Sequence, residues 1–183
     1  MALDKTFAAG EILSAGDVNG HLLSMWIPID KRVIASGSAV SSVSWQSLDS
    51  NFRFFRVTLF AIMTGNLLYL RLNNDSGSNY STQYTLASGT NTTSSRVTSQ
   101  TQISCDSGSA IAGQPFECLL NISKPLTTTK AAVLGRTVRE DSPATIQFGS
   151  VWSNTSALIN RIDLIAQGGT MYGIFALEGM RGV

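Results

Sequence analysis

Charge is scarce in this chain. Its 183 residues carry 13 Lys and Arg against 12 Asp and Glu, a net charge of +1, and charged residues make up 14% of the sequence. An average soluble domain has about 25%. With no basic excess and no Lys/Arg cluster, there is no electrostatic footprint for nucleic acid. Coiled coils and helical bundles need Glu and Lys on their wet faces, so the composition argues against both. Long apolar runs are missing too. Stretches such as 57–63 are strand-sized and fall well short of the ~18 residues of a membrane-spanning helix, so no membrane insertion is expected.

Histidine occurs once, as His21, and cysteine twice, as Cys105 and Cys118. A Ser-His-Asp site would need that one imidazole to converge with a Ser and an Asp, and metal sites draw on His/Cys clusters or grouped carboxylates. No enzyme, no metal and no cofactor is expected. Residues 1–10 carry Asp4, Lys5 and Thr6 in place of the apolar stretch of a secretory leader, so synthesis in the cytosol is expected. In a reducing compartment the two cysteines read as buried free thiols, with pairing left open.

What is present is 43% hydrophobic residues, a mean hydropathy of +0.12, and abundant Ser, Thr and Asn. That is enough apolar side chain for one domain with a core, or a domain plus an arm, and too much for a disordered chain. Uncharged, Ser/Thr-rich composition suits β-structure.

Residues 1–24 stand apart. Ser14-Ala15-Gly16-Asp17 forms a capping box, Leu13 and Val18 a hydrophobic staple, and Val18 and Leu22 share a helical face. The spacing predicts a helix over 15–23, too short to be stable alone in water. With Phe7, Ile12, Leu13, Val18, Leu22 and Leu23 as its apolar residues, this segment is expected to be a partner-docking arm.

From residue 25 onward, strands and turns alternate. Strands are expected over 27–34 (an edge, because of Pro28), 40–45, 52–63, 67–72, 80–86, 96–105, 116–122, 130–138, 144–148, 158–165 and 172–179. In the 52–63 segment, Phe55, Val57, Leu59 and Ala61 form one face and Phe54, Arg56, Thr58 and Phe60 the other. Many short strands with no intervening helix predict an all-β fold, a sandwich or a jelly roll, over 25–183.

Few other motifs suggest chemistry. The oxygen-rich loop 73–79 holds one carboxylate, Asp75, and lacks calcium-loop spacing, so it reads as a turn. Gly168-Gly169 lacks the Lys-Ser/Thr of a phosphate loop, and Glu140-Asp141 is a turn pair before Ser142-Pro143. Sequons at Asn79, Asn91, Asn121 and Asn154 are chance matches in so Ser/Thr-rich a chain. Trp26, Trp45, Trp152, Tyr80 and Tyr84 are candidates for glycan stacking, core packing being the commoner role.

The stretch Leu67-Leu-Tyr-Leu-Arg-Leu-Asn-Asn-Asp-Ser-Gly-Ser-Asn-Tyr80 resembles a signature of tailed-bacteriophage virion proteins. There, a strand ending L-R-F/L-N precedes a G-D-S/T-G-x-N-Y loop; here Asn74 replaces the Gly. Residues 152–159, 162–165 and 172–179 resemble the closing hairpin of the same proteins, with Glu178 where a Tyr is usual. Residues 7–19 resemble an F-x-A-G-x-x-L-T-A-x-x-V/L-N segment near the start of many phage tail and head-accessory proteins, with Ser14 for Thr.

The resemblance implies a jelly-roll sandwich displayed on the virion, often as a homotrimer and anchored by its arm. It further implies a non-enzymatic structural role, as a minor tail, tail-tip or fibre protein that can meet a host-surface glycan. The alternatives are a capsid decoration protein and, more remotely, a stand-alone carbohydrate-binding module. Assembly in the bacterial host cytoplasm follows from either virion reading.

Overall fold

Period-two alternation is what this chain has most of, and strands are what it forms. The computed structural model describes residues 26–65, 67–106, 113–139 and 144–182. Twelve strands lie within them: β1 (Ile27–Ile34), β2 (Ser42–Trp45), β3 (Phe52–Met63), β4 (Leu67–Leu72), β5 (Tyr80–Ser88), β6 (Asn91–Gln100), β7 (Ile103–Ser104), β8 (Pro115–Ser123), β9 (Ala131–Arg139), β10 (Ala144–Trp152), β11 (Ile162–Gln167) and β12 (Met171–Arg181). The helical content of the described residues is one 3-10 turn, Ser36–Ser38. The arm and its expected helix over 15–23 lie outside the described residues.

All pairings are antiparallel. One sheet has eight strands in the order β1-β12-β3-β8-β9-β10-β5-β6, and the other has four, β2-β11-β4-β7. Set aside the hairpins β5–β6 and β9–β10 and number the remaining eight strands along the chain. The orders become 1-8-3-6 and 2-7-4-5, the double Greek key of a jelly roll. The two hairpins then extend the large sheet beyond β8. The described residues therefore form an all-β jelly-roll sandwich; the alternation predicted the all-β sandwich or jelly roll, and the resemblance implied the jelly-roll form.

One continuous core lies between the sheets. It takes Phe55, Val57, Leu59, Ala61 and Met63 from β3, Leu68, Leu70 and Leu72 from β4, and Phe116, Cys118, Leu120 and Ile122 from β8. At ~1.5–3 kcal/mol for each large apolar side chain buried, this face-to-face packing is the main stabilising term. Phe148 of β10 lies over Gly135 of β9, where a Cβ would sit 2.0 Å from its ring, so only glycine fits there.

Several boundaries differ from the sequence reading, each for a physical reason. The expected strand over 96–105 is two strands in different sheets. β6 begins at Asn91, after a two-residue Gly89-Thr90 turn with Gly89 at φ 56°, and ends next to Ser99 at φ 56°. It is a polar edge strand on both faces, so its hydropathy has no period to read. β10 runs on to Trp152 because Trp152 pairs with Tyr80 and Ala131. β11 starts only at Ile162, because Asn73 holds the backbone just before it in another shape.

Candidate functional site

The loop that carries the family resemblance is a built turn. Asn73 and Asn74 both take positive φ, 53° and 54°, a conformation Asn adopts more readily than most residues. The Asn73 side chain accepts from the backbone N–H of Asn160 (2.9 Å) and Arg161 (3.1 Å) and donates to the Leu158 carbonyl (2.7 Å). Asp75 accepts from Gly77 N–H (2.8 Å), Asn79 Nδ2 (2.9 Å) and Trp152 Nε1 (2.7 Å). Burial opposes its ionisation, but the hydrogen bonds from Trp152, Gly77 and Asn79 outweigh it and hold the carboxyl below its ordinary range. With its carboxylate engaged this way, the loop joins β4 to β5 as a structural turn.

The aromatic residues divide by position. Tyr80 and Trp152 are buried and stack at 6.5 Å. The Tyr80 hydroxyl donates to the Leu72 carbonyl (3.1 Å) and accepts from the Leu72 N–H (3.1 Å). Trp45 is buried and donates to Asp30 (3.0 Å). Of the two roles open to them, Trp45, Trp152 and Tyr80 take the commoner one, core packing, since a ring closed in the core has no face to offer a sugar. Tyr84 is half-buried against the core. Trp26 lies outside the core, beneath the guanidinium of Arg56 at 4.7 Å.

Two buried cationic groups were not singled out in the sequence. Lys124 is buried, donating from Nζ to the carbonyls of Thr129 (2.5 Å) and Asn154 (2.6 Å) and lying 5.2 Å from the Trp152 ring; burial pushes its pKa down. Arg139 forms a buried ion pair with Asp106. The Lys124–Asn154 and Arg139–Asp106 contacts join distant parts of the chain, and no local pattern announces them. Cys105 and Cys118 are buried, free thiols, and burial beside Cys118 pushes the Cys105 thiol well up. His21 and the arm residues Phe7, Ile12, Leu13, Val18, Leu22 and Leu23 lie outside the described residues. Among the described residues no group of three or more His, Cys, Asp and Glu is placed to hold a metal ion.

What the sandwich offers a partner is its two outward faces. On the small sheet the polar groups are largely engaged with one another. Tyr69 Oη donates to Gln167 (3.0 Å), Arg71 donates to Gln102 (2.9 Å), and Arg161 Nε reaches both oxygens of Asp163 (2.8 and 2.9 Å). Where the chain passes from β6 of the large sheet to β7 of the small one, Tyr69, Tyr84, Gln102 and Ser104 line a cleft of about 220 Å³.

The large sheet is different. Its register sets Val33 of β1 beside Ile174 of β12, Ile174 beside Phe60 of β3, and Phe60 beside Glu117 of β8. Val33, Ile174 and Phe60 are 72%, 43% and 47% exposed, so three bulky apolar side chains form a row in water. The next outward row brings Lys31, Ala176, Thr58, Leu119 and Arg136 side by side. One row further, Arg56 and Glu178 form an ion pair at 2.5 Å, with Trp26 under Arg56. Beyond β8, a shallow trough of about 410 Å³ runs among Gln83, Asn121, Leu134, Arg136 and Gln147.

Fold and faces together define a jelly-roll sandwich with one self-satisfied polar face and one partly apolar face. No family model and no curated protein matches the chain. Among solved structures, a lectin from Bauhinia forficata in complex with GalNAc is aligned over 81% of this chain and 86% of its own, at 6% identity and a TM-score of 0.19. The metal-free lectin I-B4 from Griffonia simplicifolia is aligned over 84% and 92%, at 7% identity and a TM-score of 0.18. Overlaps this loose carry no argument about function.

Proposed function

We propose that this chain is a non-enzymatic structural component of a tailed-bacteriophage virion, displayed on the particle surface. Its partners are other virion proteins and further copies of itself in a homotrimer, and its anchor is the arm with Phe7, Ile12, Leu13, Val18, Leu22 and Leu23. The observation that carries this reading is the exposed apolar row Val33–Ile174–Phe60. Contiguous bulky apolar groups on an outward sheet face suit a surface covered in an assembly. The phage-like segments over 7–19, 67–80 and 152–179 support the choice of particle, and a minor tail, tail-tip or fibre position is preferred.

The test is to fractionate purified particles and count this chain by quantitative mass spectrometry. A tail part appears at a few to tens of copies per particle. Hundreds of copies would replace it with capsid decoration, and absence from particles would overturn the reading. One observation favours a second reading, a glycan-binding module: the open cleft between Tyr69 and Tyr84, which combines aromatic edges with the amide of Gln102. Titration of the isolated chain with host-surface glycans, with Tyr84→Ala as control, separates it from the first.

A further inference from the structure

We infer that the outward row Val33–Ile174–Phe60 is a contact between copies of this chain, with the β1 margin of one copy set against the β8 margin of the next. The inference rests on the assembly reading and names the partner that this face takes.

Sheet register makes the row continuous. Adjacent strands lie about 4.8 Å apart, so three in-register side chains span roughly 10 Å without a gap. Nothing in the next outward row breaks the surface between the flanks, since Ala176 and Thr58 are small and uncharged. The charges at the two margins decide the occupant. Lys31 stands on β1, beside Ala176 and two residues from Val33. Glu117 stands on β8, beside Phe60 at the far end of the row. Neither has an ion-pair partner among the described residues; nor has Arg136, diagonal to Glu117 across β8 and β9.

A surface with one cation, Lys31, at one margin, apolar groups in the middle and the anion Glu117, with Arg136 diagonal to it, at the other margin is complementary to itself through Lys31 and Glu117. Copies turned about a common axis bring opposite charges together while closing the apolar row. An anionic membrane or a nucleic acid would ask for one sign of charge throughout, and this face carries both. A copy of the same chain satisfies all three zones together.

The test uses the full chain in sedimentation velocity from micromolar to submillimolar concentration, with the unfolding midpoint measured in parallel. Self-association is expected, and Ile174→Asn weakens it by at least about tenfold while leaving the dilute protein's midpoint unchanged, because the site faces water. If Ile174→Asn misfolds, Val33→Ser on the edge strand carries the same test. Lys31→Glu and Glu117→Lys each weaken association, and the double exchange restores it, since the pair is rebuilt with its signs reversed.

A chain that stays monomeric throughout overturns the inference, as does an oligomer indifferent to Ile174→Asn and Val33→Ser. Failure of the double exchange to rescue overturns the proposed seating. A monomer that is nonetheless found in particles means that another virion protein or the chain's own arm covers the row. That result sinks this inference and leaves the assembly reading intact. Self-association without particle incorporation does the reverse.

Discussion

The two outward faces of the sandwich come from the same period-two strands, yet they dispose of their side chains in opposite ways. On the small sheet, Tyr69, Arg71 and Asp163 each find a polar partner within the same chain, so that face is finished when the chain folds. On the large sheet, Val33, Ile174 and Phe60 reach water together, and Lys31 and Glu117 flank them with no ion-pair partner among the described residues. By the inference above, a second copy of the chain completes that face. The comparison separates residues that hold the domain together from residues proposed to hold it to a neighbour, though both kinds point outward.

Breaking the finished face should cost stability. Asp163 is buried while Arg161 is only half covered, so Arg161→Ala strands a buried carboxylate and is expected to destabilise by about 2–3 kcal/mol, read as a lower denaturant midpoint. Asp75→Ala removes three accepted hydrogen bonds at the turn between the faces, at an expected cost of about 2 kcal/mol. The pH dependence sharpens that second prediction. Because the folded state holds the Asp75 carboxyl below its ordinary value, its contribution is present above the unfolded pKa of about 4 and is lost as pH falls through the folded value. Wild type and Asp75→Asn should therefore differ in stability at pH 7 and converge in acid.

Smaller effects follow. Tyr69→Phe loses one exposed hydrogen bond and should cost about 0.5–1 kcal/mol. On the unfinished face, Ile174→Ser should move the stability of the dilute chain by no more than about 0.5 kcal/mol, while its association collapses. If Ile174→Ser destabilised the dilute chain as much as Arg161→Ala does, the contrast between the faces would disappear.

Much of the fold could be read from the sequence because alternation is a local property. The two faces of β3 are visible in Phe55, Val57, Leu59 and Ala61 against Phe54, Arg56, Thr58 and Phe60. The turn at Asp75 shows in its Asn, Asp and Gly residues. What stayed hidden depends on which strands meet. Alternation says that Ile174 and Phe60 point out of their strands, but not that Val33 and Phe60 flank Ile174; only sheet order does that. The same holds for Lys124, which reaches carbonyls at Thr129 and Asn154, and for Arg139, whose partner Asp106 is 33 residues away. The β6–β7 break was invisible because an exposed polar edge has no buried face to impose a period.

Scarce charge now has a place in the molecule. Charges trapped in a contact between copies would have to be desolvated, which is costly without a partner. On the large sheet the charges nearest the apolar row stand at its margins, where an oppositely charged neighbour can meet them.

The most direct check is hydroxyl-radical footprinting of the chain at a concentration where it is assembled and again after dilution. Phe60, Ile174 and Val33 should be protected on assembly, while Tyr69 on the small sheet labels equally in both states. Equal labelling of Phe60 in the two states, or protection of Tyr69 in place of Phe60, would contradict the account.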